Sequence, residues 1–203
     1  MSSKPSDLRR SSVPITSGAR PLKVVIAGGF ASGKTTMVDA ISEIAPLTTE
    51  APMTTNSIGV DDAGDVRTKT TTTVAMDFGR LTLSESTILY VFGTPGQDRF
   101  WYMWDELAKG AVGAVVLVDT RRLNQCFAAL DYFEKRRMPY VVAINRFDGV
   151  QVHSNDEVRE ALSLAADIPV VTVDARDQGS AKMVLVELVR HAITRKTASV
   201  GAR

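Results

Sequence analysis

The sequence predicts an α/β protein: a doubly wound, mostly parallel sheet with one antiparallel edge strand. Three observations predict it. Apolar runs at Leu22 to Ala27, Val112 to Val118, Tyr140 to Ile144 and Ile168 to Val173 have the uninterrupted hydrophobicity of strands covered on both faces. Helical patterns separate them, at Lys34 to about Ile44, Asn124 to Arg137, Ser154 to Ala165 and Gly179 to about Thr194. The first strand runs into Gly28-Gly29-Phe30-Ala31-Ser32-Gly33-Lys34-Thr35, a complete G-x-x-x-x-G-K-T phosphate-binding loop with a helix behind it. Alternating strands and helices place ligands at the carboxyl ends of the strands.

Each element has its own signal. Residues 1–20 carry serines, prolines, Lys4, Arg9, Arg10 and Arg20 but no apolar run, which reads as a flexible arm rather than a leader peptide. Pro46 closes the first helix, and the stretch from Thr48 to Thr72 is polar, rich in Thr, Asp and Gly, without a sustained apolar face. It is expected to be mobile in the absence of ligand. From Thr73 to Leu83 apolar residues alternate (Val74, Met76, Phe78, Leu81, Leu83), and Ile88 to Phe92 is extended again, so the two form a hairpin turning at Ser84-Glu85-Ser86. Ser154 and Glu157 form a capping box that opens one helix, and Val184, Leu185, Leu188, Val189 and Ala192 give the last helix one apolar face. The chain therefore reads as a single domain over 21–196, followed by a flexible tail at 197–203.

Composition excludes several classes. With 203 residues and 44% hydrophobic content the chain can bury one substantial core, and a net charge of +1 gives no footprint for nucleic acid. The lone Cys126 rules out an intrachain disulfide and fits a reducing, cytoplasmic setting. His153 and His191 are too isolated for a metal cluster, and no run is long enough to span a membrane.

The loop dictates its chemistry. Backbone N–H groups of Gly28, Phe30, Ala31, Ser32 and Gly33 and of the helix start at Lys34, Thr35 and Thr36 face a phosphate, Lys34 neutralises its charge, and the Thr35 hydroxyl suits Mg2+. Asn145-Arg146-Phe147-Asp148 follows a later strand, where a carboxylate at Asp148 can accept both N–H groups on the guanine edge, a pattern adenine does not offer. Asp174-Ala175-Arg176 is placed to reach guanine O6 with a backbone N–H. Gly96 offers an amide to a γ-phosphate, and Gln97 is a side chain able to orient an attacking water. Thr73 offers a second hydroxyl for Mg2+, although any of Thr70 to Thr73 would serve.

With these motifs in the order phosphate loop, Thr73, Gly96-Gln97, Asn145 to Asp148 and Asp174-Ala175-Arg176, the chain resembles a Ras-like small GTPase over roughly residues 22 to 195. The loop, with the run Thr71-Thr72-Thr73-Val74-Ala75-Met76-Asp77-Phe78-Gly79, is most similar to the conservon (CvnD-type) GTPases of actinomycetes, near the bacterial MglA-type group. The resemblance implies a P-loop G domain that binds GTP and GDP with Mg2+, hydrolyses GTP slowly, and signals through two switch segments. It also implies a roadblock-fold partner and a sensor-type membrane complex to which a cytoplasmic protein would attach. The alternative is a nucleotide-loaded scaffold with negligible hydrolysis.

Three residues depart from the pattern. Gly93 stands where small GTPases carry an Asp that anchors Mg2+ through water, so weak Mg2+ dependence of GDP affinity is expected. Phe30 replaces a glycine and is expected to crowd Gln97. Arg146 replaces a lysine, and its guanidinium can still stack on a base.

Overall fold

The structure is a computed structural model that describes residues 18–45, 47–53, 72–95, 102–149 and 151–201. In chain order the elements are β1 (Arg20–Gly28), α1 (Lys34–Ile41), β2 (Leu47–Met53), β3 (Thr72–Ser84), β4 (Thr87–Gly93), α2 (Tyr102–Ala108), β5 (Gly113–Val118), α3 (Phe127–Lys135), β6 (Tyr140–Asn145), α4 (Asn155–Ala161), β7 (Val170–Val173) and α5 (Gln178–Gly201). The described strands form one seven-stranded sheet in the order β2-β3-β4-β1-β5-β6-β7. β3 runs antiparallel to both its neighbours, while β4, β1, β5, β6 and β7 are mutually parallel.

Why the central strands read as unbroken apolar runs is visible in β1. Successive side chains point to opposite faces of a sheet, and both faces here are covered. Val25 and Ala27 join a cluster with Trp104, Leu130, Phe133 and Val158 under α2, α3 and α4. Val24 and Ile26 join the opposite cluster with Met37, Val38, Ile41, Leu185 and Leu188 under α1 and α5. Two cores thus hold the sheet rigid, and the carboxyl ends of β1, β4, β5, β6 and β7 open on one edge of the molecule.

The antiparallel strand is present, and it is flanked by a strand the sequence did not announce. β2 comes from the start of the stretch expected to be a polar loop; the unpaired edge of β3 would otherwise expose a row of N–H and C=O groups, and β2 pairs with it from Leu47 opposite Phe78 to Met53 opposite Thr72. Pro52 fits an outermost strand, which needs no donor on its open side. Helix α2 also went unread. Helix α3 starts at Phe127 instead of Asn124, because Thr120–Gln125 forms a 3₁₀ segment broken at Arg122 (φ −145°, ψ 49°). Helix α4 stops at Ala161, short of the expected Ala165, and Ser163 beyond it takes φ 51°. Helix α5 runs to Gly201, past residue 197 where a tail was expected; of the arm expected over residues 1–20, residues 1–17 lie outside the described residues and Arg20 already opens β1.

Candidate functional site

The turn between β1 and α1 is held by its backbone. Gly28, Ala31 and Gly33 take positive φ of 141°, 57° and 102°, which curls the chain around a hollow. Two of these glycines are required by their neighbours as well: a Cβ at Gly28 would stand 2.4 Å from the Leu117 carbonyl oxygen, and one at Gly33 would stand 2.5 Å from Asn145 Nδ2. Gly33 caps α1 without any side-chain hydrogen bond, and no acidic residue occupies the first turn. The helix therefore presents its free N–H groups and positive end to the hollow, which is what an anion needs.

Lys34 is only 8% exposed, and its Nζ donates to the carbonyls of Gly28 (3.1 Å) and Gly29 (2.6 Å). Burial holds its ammonium down to about 8, against an opposing pull from the nearby Asp77 carboxylate. A phosphate in the hollow would replace those neutral carbonyls with full charges. Phe30 is 61% exposed and does not line the cleft. The Gly29 backbone is hemmed in from the other side by Gln125, whose Cβ and Oε1 would lie 2.5 and 2.8 Å from a Cβ there.

Asn145 joins this loop to the segments at the ends of β6 and β7. Its Nδ2 donates to the Ser32 carbonyl (3.0 Å) and its Oδ1 accepts from Ala175 N–H (3.2 Å), while Arg146 N–H donates to the Val173 carbonyl (2.8 Å). The result is a cleft of about 360 Å³ lined by Ala31 to Thr36 and by Asn145, Arg146, Phe147, Asp174, Ala175 and Arg176. Buried Nε of Arg146 and Oγ of Ser32 have no hydrogen-bond partner among the described residues. Asp174 is locked onto Arg176 by paired bonds of 3.0 and 2.9 Å, which hold its carboxyl down to about 2. The base-side segment is braced from behind: Asp119 takes two 2.8 Å bonds from Arg121, whose guanidinium lies 4.0 Å from the centre of the Phe147 ring.

Of the residues expected from sequence, Ala31 to Thr36, Asn145, Arg146 and the Asp174 to Arg176 turn line this cleft, whereas Gly28 and Phe30 do not. Asp148 falls in the Phe147–Gly149 turn beside it, where its backbone is described. Thr73 lies in β3 opposite Pro52. Gly96 and Gln97 lie outside the described residues, as do Thr70 and Thr71.

Sequence reasoning missed Asp77. It is 8% exposed, and its Oδ2 accepts a 2.7 Å hydrogen bond from the Thr35 hydroxyl. A Cβ placed on Gly93 would stand 2.9 Å from that same Oδ2 and 3.0 Å from Asp77 Cβ. The signal was available: counting equal steps back from the hairpin turn at Glu85 brings residue 77 opposite residue 93. No group of three or more His, Cys, Asp or Glu able to hold a metal by themselves occurs among the described residues.

Solved structures share the fold. The G domain of the T. maritima FeoB iron transporter superposes with a TM-score of 0.57 at 17% identity, covering 85% of this chain and 99% of that one. The Arl6 BBS3 small GTPase from Trypanosoma brucei, solved with a bound nucleotide analogue, gives 0.57 at 18% identity over 86% and 99%. Both show that the chain has the P-loop α/β fold of G domains. By sequence it is 31% identical over 129 residues to an uncharacterized protein of Methanocaldococcus jannaschii, 63% of this chain and 71% of that protein. It is also 27% identical over 184 residues to a probable translation initiation factor IF-2 of Thermofilum pendens, of whose length it spans only 28%. Among the described residues no helix is long and apolar enough to cross a membrane. Residues 26–195 match the pattern of one family across most of the chain, and the protein belongs to that family, described as conserved hypothetical ATP binding proteins.

Proposed function

We propose that this protein is a guanine-nucleotide switch that binds GTP and hydrolyses it slowly to GDP. The observation that carries the reading is Asn145, one side chain hydrogen-bonded at once to the phosphate loop and to the Asp174-Ala175-Arg176 turn, so that phosphate and base ends of one nucleotide would be gripped by a single connected unit. Asp148 supports guanine over the adenine in the family's description, because a carboxylate accepts from guanine N1–H and N2–H and repels the acceptor on the adenine edge.

In the reaction Lys34 turns from the Gly28 and Gly29 carbonyls to the β- and γ-phosphates, and Gln97 orients the attacking water while Gly96 N–H contacts the γ-phosphate. Residues suited to Mg2+ are present: the Thr35 hydroxyl at the loop, Thr73 at the start of β3, and the Asp77 carboxylate beside Thr35. Bound there, Mg2+ would neutralise charge on the phosphate oxygens. A roadblock-fold protein and a membrane-bound sensor complex are the partners this reading carries, with the protein cytoplasmic and recruited through them.

Calorimetry tests the base: GDP binds and ADP does not, and comparable affinity for ADP would return the site to adenine. Single-turnover phosphate release, with and without a roadblock partner, tests hydrolysis against a purely nucleotide-loaded scaffold. The variant Gln97→Leu keeps GTP affinity and loses turnover, since the amide acts on water rather than on the bound nucleotide.

A further inference from the structure

We infer that Asp77 carries the cation-anchoring carboxylate of this site, moved from the end of β4 to the facing position on β3. The inference rests on the nucleotide reading above and concerns how the metal is held.

Phosphate-loop sites of this kind grip their cation with the loop hydroxyl and a carboxylate at the end of a neighbouring strand. Gly93, at the end of β4, carries no carboxylate. β3 and β4 are antiparallel with Phe78 opposite Phe92, and one step further along the ladder sets Asp77 against Gly93. The two positions are complementary in volume as well as register. The space a Gly93 side chain would enter is filled by the Asp77 carboxylate, 2.9 Å from the Cβ that is missing. Restoring Asp at residue 93 alone would push one carboxylate into another.

Asp77 also has the right partner. A threonine hydroxyl that ligates a cation through its lone pair must donate its hydrogen elsewhere, and here it donates to Asp77 Oδ2 at 2.7 Å. That acceptor fixes the Thr35 rotor so its lone pairs face the phosphate side, and it raises the basicity of the ligand oxygen, as partners behind metal ligands do. Asp77 is buried, bonded to the Thr35 hydroxyl and near enough to Lys34 to pull on its ammonium, which sets its carboxylate beside the two side chains that would meet the cation and the phosphate. Asp77 is thus a positioning residue for the metal, and the weak Mg2+ dependence expected from Gly93 alone is reversed.

The test reads metal binding without turnover. Release of a fluorescent GDP analogue is titrated with Mg2+, and Mn2+ affinity of the GDP complex is followed by electron paramagnetic resonance. Asp77→Asn keeps the shape and an oxygen for Thr35 but removes the charge. It should raise the Mg2+ and Mn2+ concentrations for half-effect by about 10- to 100-fold without lowering GDP affinity in excess chelator. The paired exchange Asp77→Gly with Gly93→Asp should restore the requirement to within about threefold of the natural protein, whereas Gly93→Asp alone should not tighten it. An unchanged cation requirement in Asp77→Asn would overturn the inference, as would a folded double variant that stays as weak as Asp77→Asn. Failure of the natural protein to bind GDP at all would instead remove the nucleotide reading itself.

Discussion

Cys126 shows how a residue with no role in the chemistry can report on the site. Its thiol is 2% exposed, donates to the Leu123 carbonyl at 3.0 Å, and is pushed up to about 11 by burial. At pH 8 almost none of it is thiolate, so alkylation must wait for local opening of the 3₁₀ segment. The neighbouring Gln125 leans on Gly29 of the phosphate loop, and anything that orders that loop should restrain the segment. Iodoacetamide should therefore modify the native protein slowly at pH 8, faster as pH rises toward 11, and more slowly still with GDP bound; equal rates with and without GDP would uncouple the segment from the loop. Gly33 makes the complementary case from the backbone. Its φ of 102° costs an alanine about 1–2 kcal/mol, and the new Cβ would also strike Asn145 Nδ2. Gly33→Ala should weaken GDP binding by more than tenfold, measured by calorimetry, with only a modest fall in melting temperature.

At the scale of elements, the connector between β5 and α3 matters more than its position outside the cleft suggests. Asp119 at the end of β5 holds Arg121, Arg121 covers Phe147, and Phe147 precedes Asp148 in the turn that would read the base. Arg121→Ala removes a charge-to-ring contact worth about 0.5–2 kcal/mol and frees that turn. GDP affinity should fall about three- to tenfold while affinity for inosine diphosphate, which lacks the N2 amino group, falls less; an equal loss for both would make Arg121 a general stabiliser rather than a base-loop brace. Elements like this explain what was legible in the sequence. The phosphate loop, Asn145 and Arg146 could be read because each motif is contiguous and its neighbouring strand is an apolar run. Asp77 could not be read as easily, since its meaning depends on a residue 42 positions away and on strand register. β2 was hidden for a related reason: its polar sequence has no strand signal of its own, and it exists because β3 has an open edge. Helix α2 is only seven residues long, too short to establish a period.

At the scale of the whole molecule, the two cores and the cleft divide the labour of stability and recognition. Phe133 is fully buried, and its ring packs against Trp104, Tyr132 and Tyr140, none of which lines the cleft. Truncation to alanine should cost about 3–5 kcal/mol, a large share of the roughly 5–15 kcal/mol that holds such a domain together. For a domain of this size that lowers the melting temperature by about 10 °C. GDP binds only the folded chain, so at a hundred times its dissociation constant it returns about 2.7 kcal/mol, and it must do so equally for both proteins if the core and the cleft are independent. Thermal melts of the natural protein and Phe133→Ala, each with and without GDP at that multiple of its own measured constant, should therefore show a large gap between the proteins and the same GDP increment within each. A smaller increment in the variant would mean that the α3 face of the sheet, and not only the strand ends, sets the geometry of the nucleotide site.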